Sequence, residues 1–216
     1  MDMDTDKLRN ASIIGFTGKA GSGKSTAARW IVMNHKVARK ISFAAPLKRM
    51  TYELVRNCIP QTWPHKAAEC IDDPVLKEQP LPFLAGQTPR HIMQTLGTEW
   101  GRNTIHEDFW VMLVHSRIER ILSSTFNARE GNRVNVVMDD VRFANEAAMI
   151  QSFGGVVVRI ERPGAGKPDS VDAHASERMD FPVDGVLMND GTAEDLHAKL
   201  RDLWPEPILA PAKRKR

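Results

Sequence analysis

From Gly18 to Ser25 the chain reads Gly-Lys-Ala-Gly-Ser-Gly-Lys-Ser, which meets G-x-x-x-x-G-K-[ST] at every fixed position. Glycines at 18, 21 and 23 allow a tight turn whose successive N–H groups aim inward, at the positive end of the helix that follows. Such a loop cradles phosphates: Lys24 reaches the outer ones, and the Ser25 hydroxyl takes one position on Mg²⁺. A glycine-rich turn that binds nothing is the plain alternative. The apolar run before the loop, the helix after it and the complete motif favour the anion site.

A second group with chemical potential is Val-Val-Met-Asp-Asp-Val-Arg-Phe-Ala-Asn-Glu, residues 136–146. An apolar strand ending in Asp139-Asp140 suits a Mg²⁺ held directly or through water beside a phosphate loop. Which carboxylate faces the metal is left open. Arg142 and Glu146 stand four apart, so they either form a surface pair worth under about 1 kcal/mol or leave Arg142 to neutralise charge during transfer of a phosphate. Arg90 and Gln94 are also four apart on an expected helix. A guanidinium can grip a phosphate with two parallel bonds, and a carboxamide can read a base edge; plain exposed positions on an amphipathic helix are the other reading. Arg159, Arg162, Lys167 and Arg178 surround a polar stretch that is either a cationic flap over phosphates or a solvated loop. His174-Ala175-Ser176-Glu177 matches no standard ligand spacing and reads as structural. The tryptophans at 30, 63, 100, 110 and 204 read as core, with Trp110 alone placed as a wall for base stacking.

The elements that must carry these groups alternate. Residues 11–17 are apolar enough for a strand buried on both faces, and a helix runs from Ser22 to about Asn34. A second strand is expected over 37–44. Behind Pro46, Leu47, Met50, Leu54, Val55 and Cys58 recur at helical spacing. Six prolines fall between 60 and 89, marking a loop-rich insertion with at most one short helix. Thr88-Pro89 caps and opens a helix reaching about Trp100, and another near 107–124 buries Trp110, Leu113, Val114, Ile118, Ile121 and Leu122. Strands follow at 134–138, 156–160 and 186–188. Helices start near Ala144 and at Thr192, the last placing Leu196, Leu200 and Leu203 on one face. Strands alternating with helices imply a parallel sheet covered on both faces, with ligand at its carboxyl ends.

The length of 216 residues suits one domain with an insertion, and 42% apolar with 26% charged residues is ordinary for a soluble chain. The net charge of +3 comes from Lys213, Arg214, Lys215 and Arg216; without them 26 basic residues stand against 27 acidic. A proline-flanked basic end reads as disordered tail rather than a nucleic-acid contact. The polar start MDMDTDKLRN is unlike a signal peptide, no apolar stretch approaches a membrane span, and Cys58 and Cys70 fit no metal spacing. Together these point to a reducing cytoplasm.

Taken together, GKAGSGKST (18–26), FAAPLK (43–48), PRHIMQTLGTEWGR (89–102), DVRFANE (140–146), HASE (174–177) and NDGTAEDL (189–196) resemble the bacteriophage deoxynucleoside-monophosphate kinases, a branch of the P-loop nucleoside-monophosphate kinase superfamily. The stretches lie in family order and span nearly the whole chain. The resemblance implies an α/β fold with a five-stranded parallel sheet flanked by helices, an acceptor-binding insertion and a lid. Expected boundaries are a disordered 1–10, a kinase domain over 11–204 with an acceptor region near 45–125 and a lid near 161–180, and a disordered 205–216. ATP contacts are implied for Lys19, Ala20, Gly21, Ser22, Gly23, Lys24, Ser25 and Thr26, with Arg162 from the lid. Ser25 and Asp140 would serve Mg²⁺. Arg90, His91, Gln94, Gly97, Thr98 and Trp110 would form the monophosphate pocket, with Asp140, Arg142 and Glu146 beside the acceptor. Lys24, Arg90 and Arg142 would carry catalysis. His91 stands where a more basic residue is expected.

The implied activity is transfer of the γ-phosphate of ATP to a deoxynucleoside 5′-monophosphate, for nucleotide supply to DNA synthesis, in a host cytoplasm if phage-encoded. Two alternatives stand beside it: a related small-molecule kinase such as dephospho-coenzyme A kinase, and a non-catalytic nucleotide-binding regulatory module. Small nucleotides are the expected partners, with no nucleic acid and no membrane; a homodimer stays open.

Overall fold

A computed structural model describes residues 5–35, 37–59, 66–123, 136–166 and 179–205. The chain divides into two compact units, one built from residues up to Ser42 and from His115 onward, the other from Phe43–Val114.

The first unit holds the sheet. Its strands are β1 (Ile13–Thr17), β2 (Arg39–Lys40), β3 (Val136–Met138), β4 (Val156–Glu161) and β5 (Gly185–Met188), in the order β2-β3-β1-β4-β5 with every pair parallel. This is the expected five-stranded parallel architecture. Central β1 pairs on both edges and is buried at every residue, whereas edge strand β5 alternates and turns Val186 and Met188 outward. β2 is shorter than expected: Ile41 N–H still donates to the Val137 carbonyl at 3.0 Å, but the chain then turns toward the next helix. Helices cover the sheet. α1 is Thr5–Asn10, α2 is Lys24–Asn34, α7 is Ala144–Ser152 and α8 is Ala193–Leu203. α7 needs a bare backbone at Gly15, where a Cβ would lie 2.6 Å from Ile150 Cδ1.

Residues 1–10 were expected to lack order, yet 5–10 form α1. Leu8 is fully buried in the same core as Phe16 and Trp204, and the Trp204 indole N–H donates to the Leu8 carbonyl at 2.7 Å. Six residues would not hold a helix alone; the burial of Leu8 fixes it.

In the second unit, α3 is Ala45–Cys58, α4 is Lys66–Asp72, α5 is Pro89–Thr95, and α6 (Phe109–Leu122) runs through the boundary at Val114. Single 3₁₀ turns at Leu76–Glu78 and Pro82–Leu84 join α4 to α5, so the described part of the proline-rich stretch holds one short α-helix, as expected. The core here is Val55, Ile59, Ala67, Cys70 and Leu84. On α3 the periodic residue Val55 is fully buried as expected, but Met50, Leu54 and Cys58 are exposed and Thr51 is buried beside Val55. Thr51 tolerates this because its hydroxyl donates to the Leu47 carbonyl at 3.0 Å. On α6 Trp110, Val114 and Ile118 are buried as expected, but Leu113 is exposed and Val111 is buried. No helix among the described residues is long and apolar enough to cross a membrane.

Candidate active site

β1 ends at Thr17 and the glycine loop follows. Gly18 and Gly23 have φ of 135° and 108°, a region that side-chain-bearing residues rarely enter. Space is closed there too: a Cβ on Gly18 would meet the Ile160 carbonyl at 2.3 Å, and one on Gly23 would meet Asn189 Nδ2 at 2.5 Å. Asn189, buried just beyond β5, donates that Nδ2 to the Ser22 carbonyl at 2.8 Å. Gly23 is the N-cap of α2 and brings no side chain to its first turn, so the N–H groups there keep their capacity for an anion.

Lys24 folds back on the loop. Its Nζ donates to the carbonyls of Gly18 at 2.6 Å and Lys19 at 2.7 Å. Burial and, next, the Arg142 charge push its pKa down to about 8, against the pull of Asp139. Lys24, Arg142 and Asp139 therefore share one electrostatic neighbourhood.

At the end of β3 the two carboxylates part. Asp139 Oδ2 accepts from Ser25 Oγ at 2.6 Å and from Lys40 Nζ at 2.6 Å. Asp140 Oδ2 accepts from Ser42 Oγ at 2.6 Å. The carboxylate beside Ser25 is thus Asp139, where the resemblance implied Asp140 and the residues alone left the choice open; Ser25 of α2 and Lys40 of β2 meet at Asp139, while Ser42 donates to Asp140. A serine hydroxyl and a carboxylate are hard oxygen donors suited to Mg²⁺. Among the described residues no group of three or more His, Cys, Asp or Glu is placed to hold a metal. Two protein oxygens fit an ion that keeps most of its sites for water and phosphate. Lys40 escaped the sequence reading; only the pairing of β2 with β3 brings it to Asp139.

Glu146 was expected beside the acceptor. It is buried, and its Oε2 accepts from the backbone N–H groups of Arg142 at 2.8 Å and Phe143 at 3.2 Å. It fastens the start of α7 and fixes the backbone of Arg142, whose side chain is exposed. Of the flap cations, Arg159 Nη2 donates to the carbonyls of Met179 and Phe181, each at 3.2 Å, which ties β4 to the approach to β5. Arg162 is exposed in the turn after β4, and the stem of Lys19 lies against Gly166. Lys167, His174, Ser176, Glu177, Arg178 and the basic tail at 213–216 lie outside the described residues, as does most of the expected lid.

In the other unit Thr88 Oγ1 accepts from the His91 N–H at 3.0 Å and caps α5. Arg90 Nε pairs with Glu78 Oε1, His91 is exposed and Gln94 is half-buried. Gly97 and Thr98 lie on a π-helical segment, Leu96–Ile105, that continues α5. Such wide turns collect at functional sites and left no signal in the periodicity. Trp110 is not an open stacking wall. It is 4% exposed, its indole N–H donates to the Gly97 carbonyl at 2.8 Å, and its ring covers Gly101, where a Cβ would lie 2.6 Å from Nε1. Trp110 holds the π-helical segment in shape.

Lys24, Ser25, Lys40, Asp139 and Arg142 thus gather in the first unit, and Arg90, His91, Gln94, Gly97 and Thr98 follow one another along a single helical stretch of the second. Comparison with known proteins adds two findings. Residues 85–200 match a family model described as "Deoxynucleotide monophosphate kinase". A protein of Acanthamoeba polyphaga mimivirus named "Putative deoxynucleotide monophosphate kinase" is 30% identical over 194 residues, covering 87% of this chain and 93% of that protein.

Proposed function

This chain belongs to the deoxynucleotide monophosphate kinase family, and from that premise we propose that it moves the γ-phosphate of ATP to a deoxynucleoside 5′-monophosphate. The acceptor's phosphate oxygen attacks the γ-phosphorus, the bond to the bridging β,γ-oxygen breaks, and ADP and the deoxynucleoside diphosphate leave. The acceptor is already anionic, so no nucleophile-activating dyad is required; alignment and charge stabilisation carry the rate.

The observation that supports this most is the gathering of Lys24, Ser25, Asp139 and Arg142 at the carboxyl ends of β1 and β3. In this reading the 19–26 backbone cradles the ATP phosphates, with Arg162 adding a contact from the turn after β4. Lys24 exchanges its two loop carbonyls for the outer phosphates. Their negative charge favours its protonated form, which burial and Arg142 otherwise disfavour. Ser25 and Asp139 would hold a Mg²⁺ that supplies charge neutralisation at the β- and γ-oxygens. Arg142 neutralises charge on the transferring group, and Arg90 grips the acceptor phosphate, leaving Gln94 with His91, Gly97 and Thr98 for the nucleoside.

The test is ADP release measured with dAMP, dGMP, dCMP, dTMP, the ribonucleotides and dephospho-coenzyme A as acceptors. Release that depends on a deoxynucleoside monophosphate is expected. Turnover with dephospho-coenzyme A alone, or none with any acceptor, overturns the proposal.

A further inference from the structure

Lys40 is exposed along β2, while its ammonium lies 2.6 Å from a carboxylate oxygen of Asp139, whose side chain is only 8% exposed. The geometry follows from the sheet. Lys40 is in register with Val137 on β3, so a four-carbon stem reaches two residues on, to the strand's end. The oxygen it reaches, Oδ2, is the same one that accepts from Ser25 Oγ. A carboxylate this covered needs a compensating charge. Lys24 does not supply that contact, because its Nζ donates to the Gly18 and Lys19 carbonyls.

We infer that Lys40 is the resting counter-ion of Asp139, closing the Ser25–Asp139 oxygen pair to a free divalent cation until a nucleotide carries one in. Lys40 is a positioning residue in this scheme, touching Asp139 and not the substrate. Its side chain is 45% exposed, so the ammonium can swing into water while its stem stays on the sheet edge. Ser25, by contrast, is held in the first turn of α2. A cation arriving with ATP brings phosphate ligands that a bare ion lacks, and those tip the exchange. The inference rests on the proposed reading that a divalent cation works beside Ser25.

The experiment titrates Mn²⁺ into nucleotide-free protein and follows the free ion by electron paramagnetic resonance. Lys40→Met and Lys40→Gln are expected to bind Mn²⁺ roughly tenfold tighter than the unaltered protein, the size of removing one charge a few ångström from a divalent ion even in water. Lys40→Arg keeps the charge and should stay at the unaltered level. Adding Asp139→Asn to either neutral variant should cancel the gain. Unchanged Mn²⁺ affinity in the folded neutral variants, or a gain that survives Asp139→Asn, overturns the inference. Absence of ADP release by the unaltered protein would instead overturn the kinase reading, and the Mn²⁺ comparison would still report on Lys40 alone.

Discussion

Asn189 donates its carboxamide N–H to the Ser22 carbonyl at 2.8 Å, across 167 positions of sequence. The same nitrogen stands where a Cβ of Gly23 would have to go. The end of β5 is therefore a wedge under the glycine loop, and the loop's shape depends on a strand formed near the other end of the chain. Asn189 is itself fixed by its backbone N–H, which donates to the Glu161 carbonyl at 2.7 Å at the end of β4.

Replacing Asn189 tests the wedge. Asn189→Ala removes one buried hydrogen bond and should cost about 1–3 kcal/mol of stability. Asn189→Asp should cost more, since it sets a carboxylate oxygen against the Ser22 carbonyl. Both should raise the KM for ATP and leave that for the monophosphate unchanged. Equal rises in the two KM values would show that Asn189 acts on the whole fold and not on the loop.

Lys24→Met should lower turnover by at least ~100-fold, the scale of losing one preorganised charge on a reacting phosphate. Thermal unfolding should barely change, because water can replace the ammonium on the Gly18 and Lys19 carbonyls. Near-normal turnover in the folded variant would remove the glycine loop from the mechanism.

The parts of the fold that follow from neighbouring residues were legible in the sequence. The apolar runs of β1, β3 and β4 needed only their own composition, and α8 was marked by Thr192, which accepts from the Asp195 N–H while Asp195 answers to the Thr192 N–H. α5 likewise showed itself through Thr88-Pro89. What stayed hidden depends on contacts far along the chain. Nothing local separates Asp139 from Asp140; the choice comes from which distant partners reach each one, Ser25 and Lys40 at Asp139 and Ser42 at Asp140. Lys40 reads as an ordinary strand-end lysine until β2 lies beside β3. The spacing of Arg142 and Glu146 offered a side-chain pair, but did not show that Glu146, in the first turn of α7, accepts from the backbone N–H groups of Arg142 and Phe143. Trp110 has the residue type of a stacking wall, and only the bare Gly101 opposite it makes room for its burial.

Arg90→Ala should raise the KM for the monophosphate about tenfold or more, the scale of one charge-assisted hydrogen bond, with the KM for ATP unchanged. Arg90→Lys should recover part of the loss, because it keeps the charge without the forked geometry. Glu78 holds Arg90 at rest, so Glu78→Gln should lower the monophosphate KM. An effect of Arg90→Ala on ATP alone would reassign the residue to the donor.

Stability in acid should depend on Asp184. Burial alone would raise its pKa, but donation from Gln151 Nε2 at 3.0 Å and from the Val157 N–H at 2.8 Å, with the Lys7 ammonium on the other oxygen, outweighs this and holds it below the usual carboxylate value. A carboxyl more acidic in the folded chain than in the unfolded one stabilises the fold at every pH above its ordinary range. That contribution fades as pH falls through the folded-state pKa. At neutral pH Asp184→Asn should cost about 1–3 kcal/mol, since one of its two oxygens becomes a donor facing other donors. Urea midpoints measured from pH 7 down to pH 2 should show the unaltered protein losing stability faster than the variant, so that the two converge in acid. Lys7→Met should show a smaller version of the same trend, because it removes a half-exposed partner and leaves both inner donors in place. A gap between Asp184→Asn and the unaltered protein that stays constant with pH would mean that Asp184 matters by shape and not by charge.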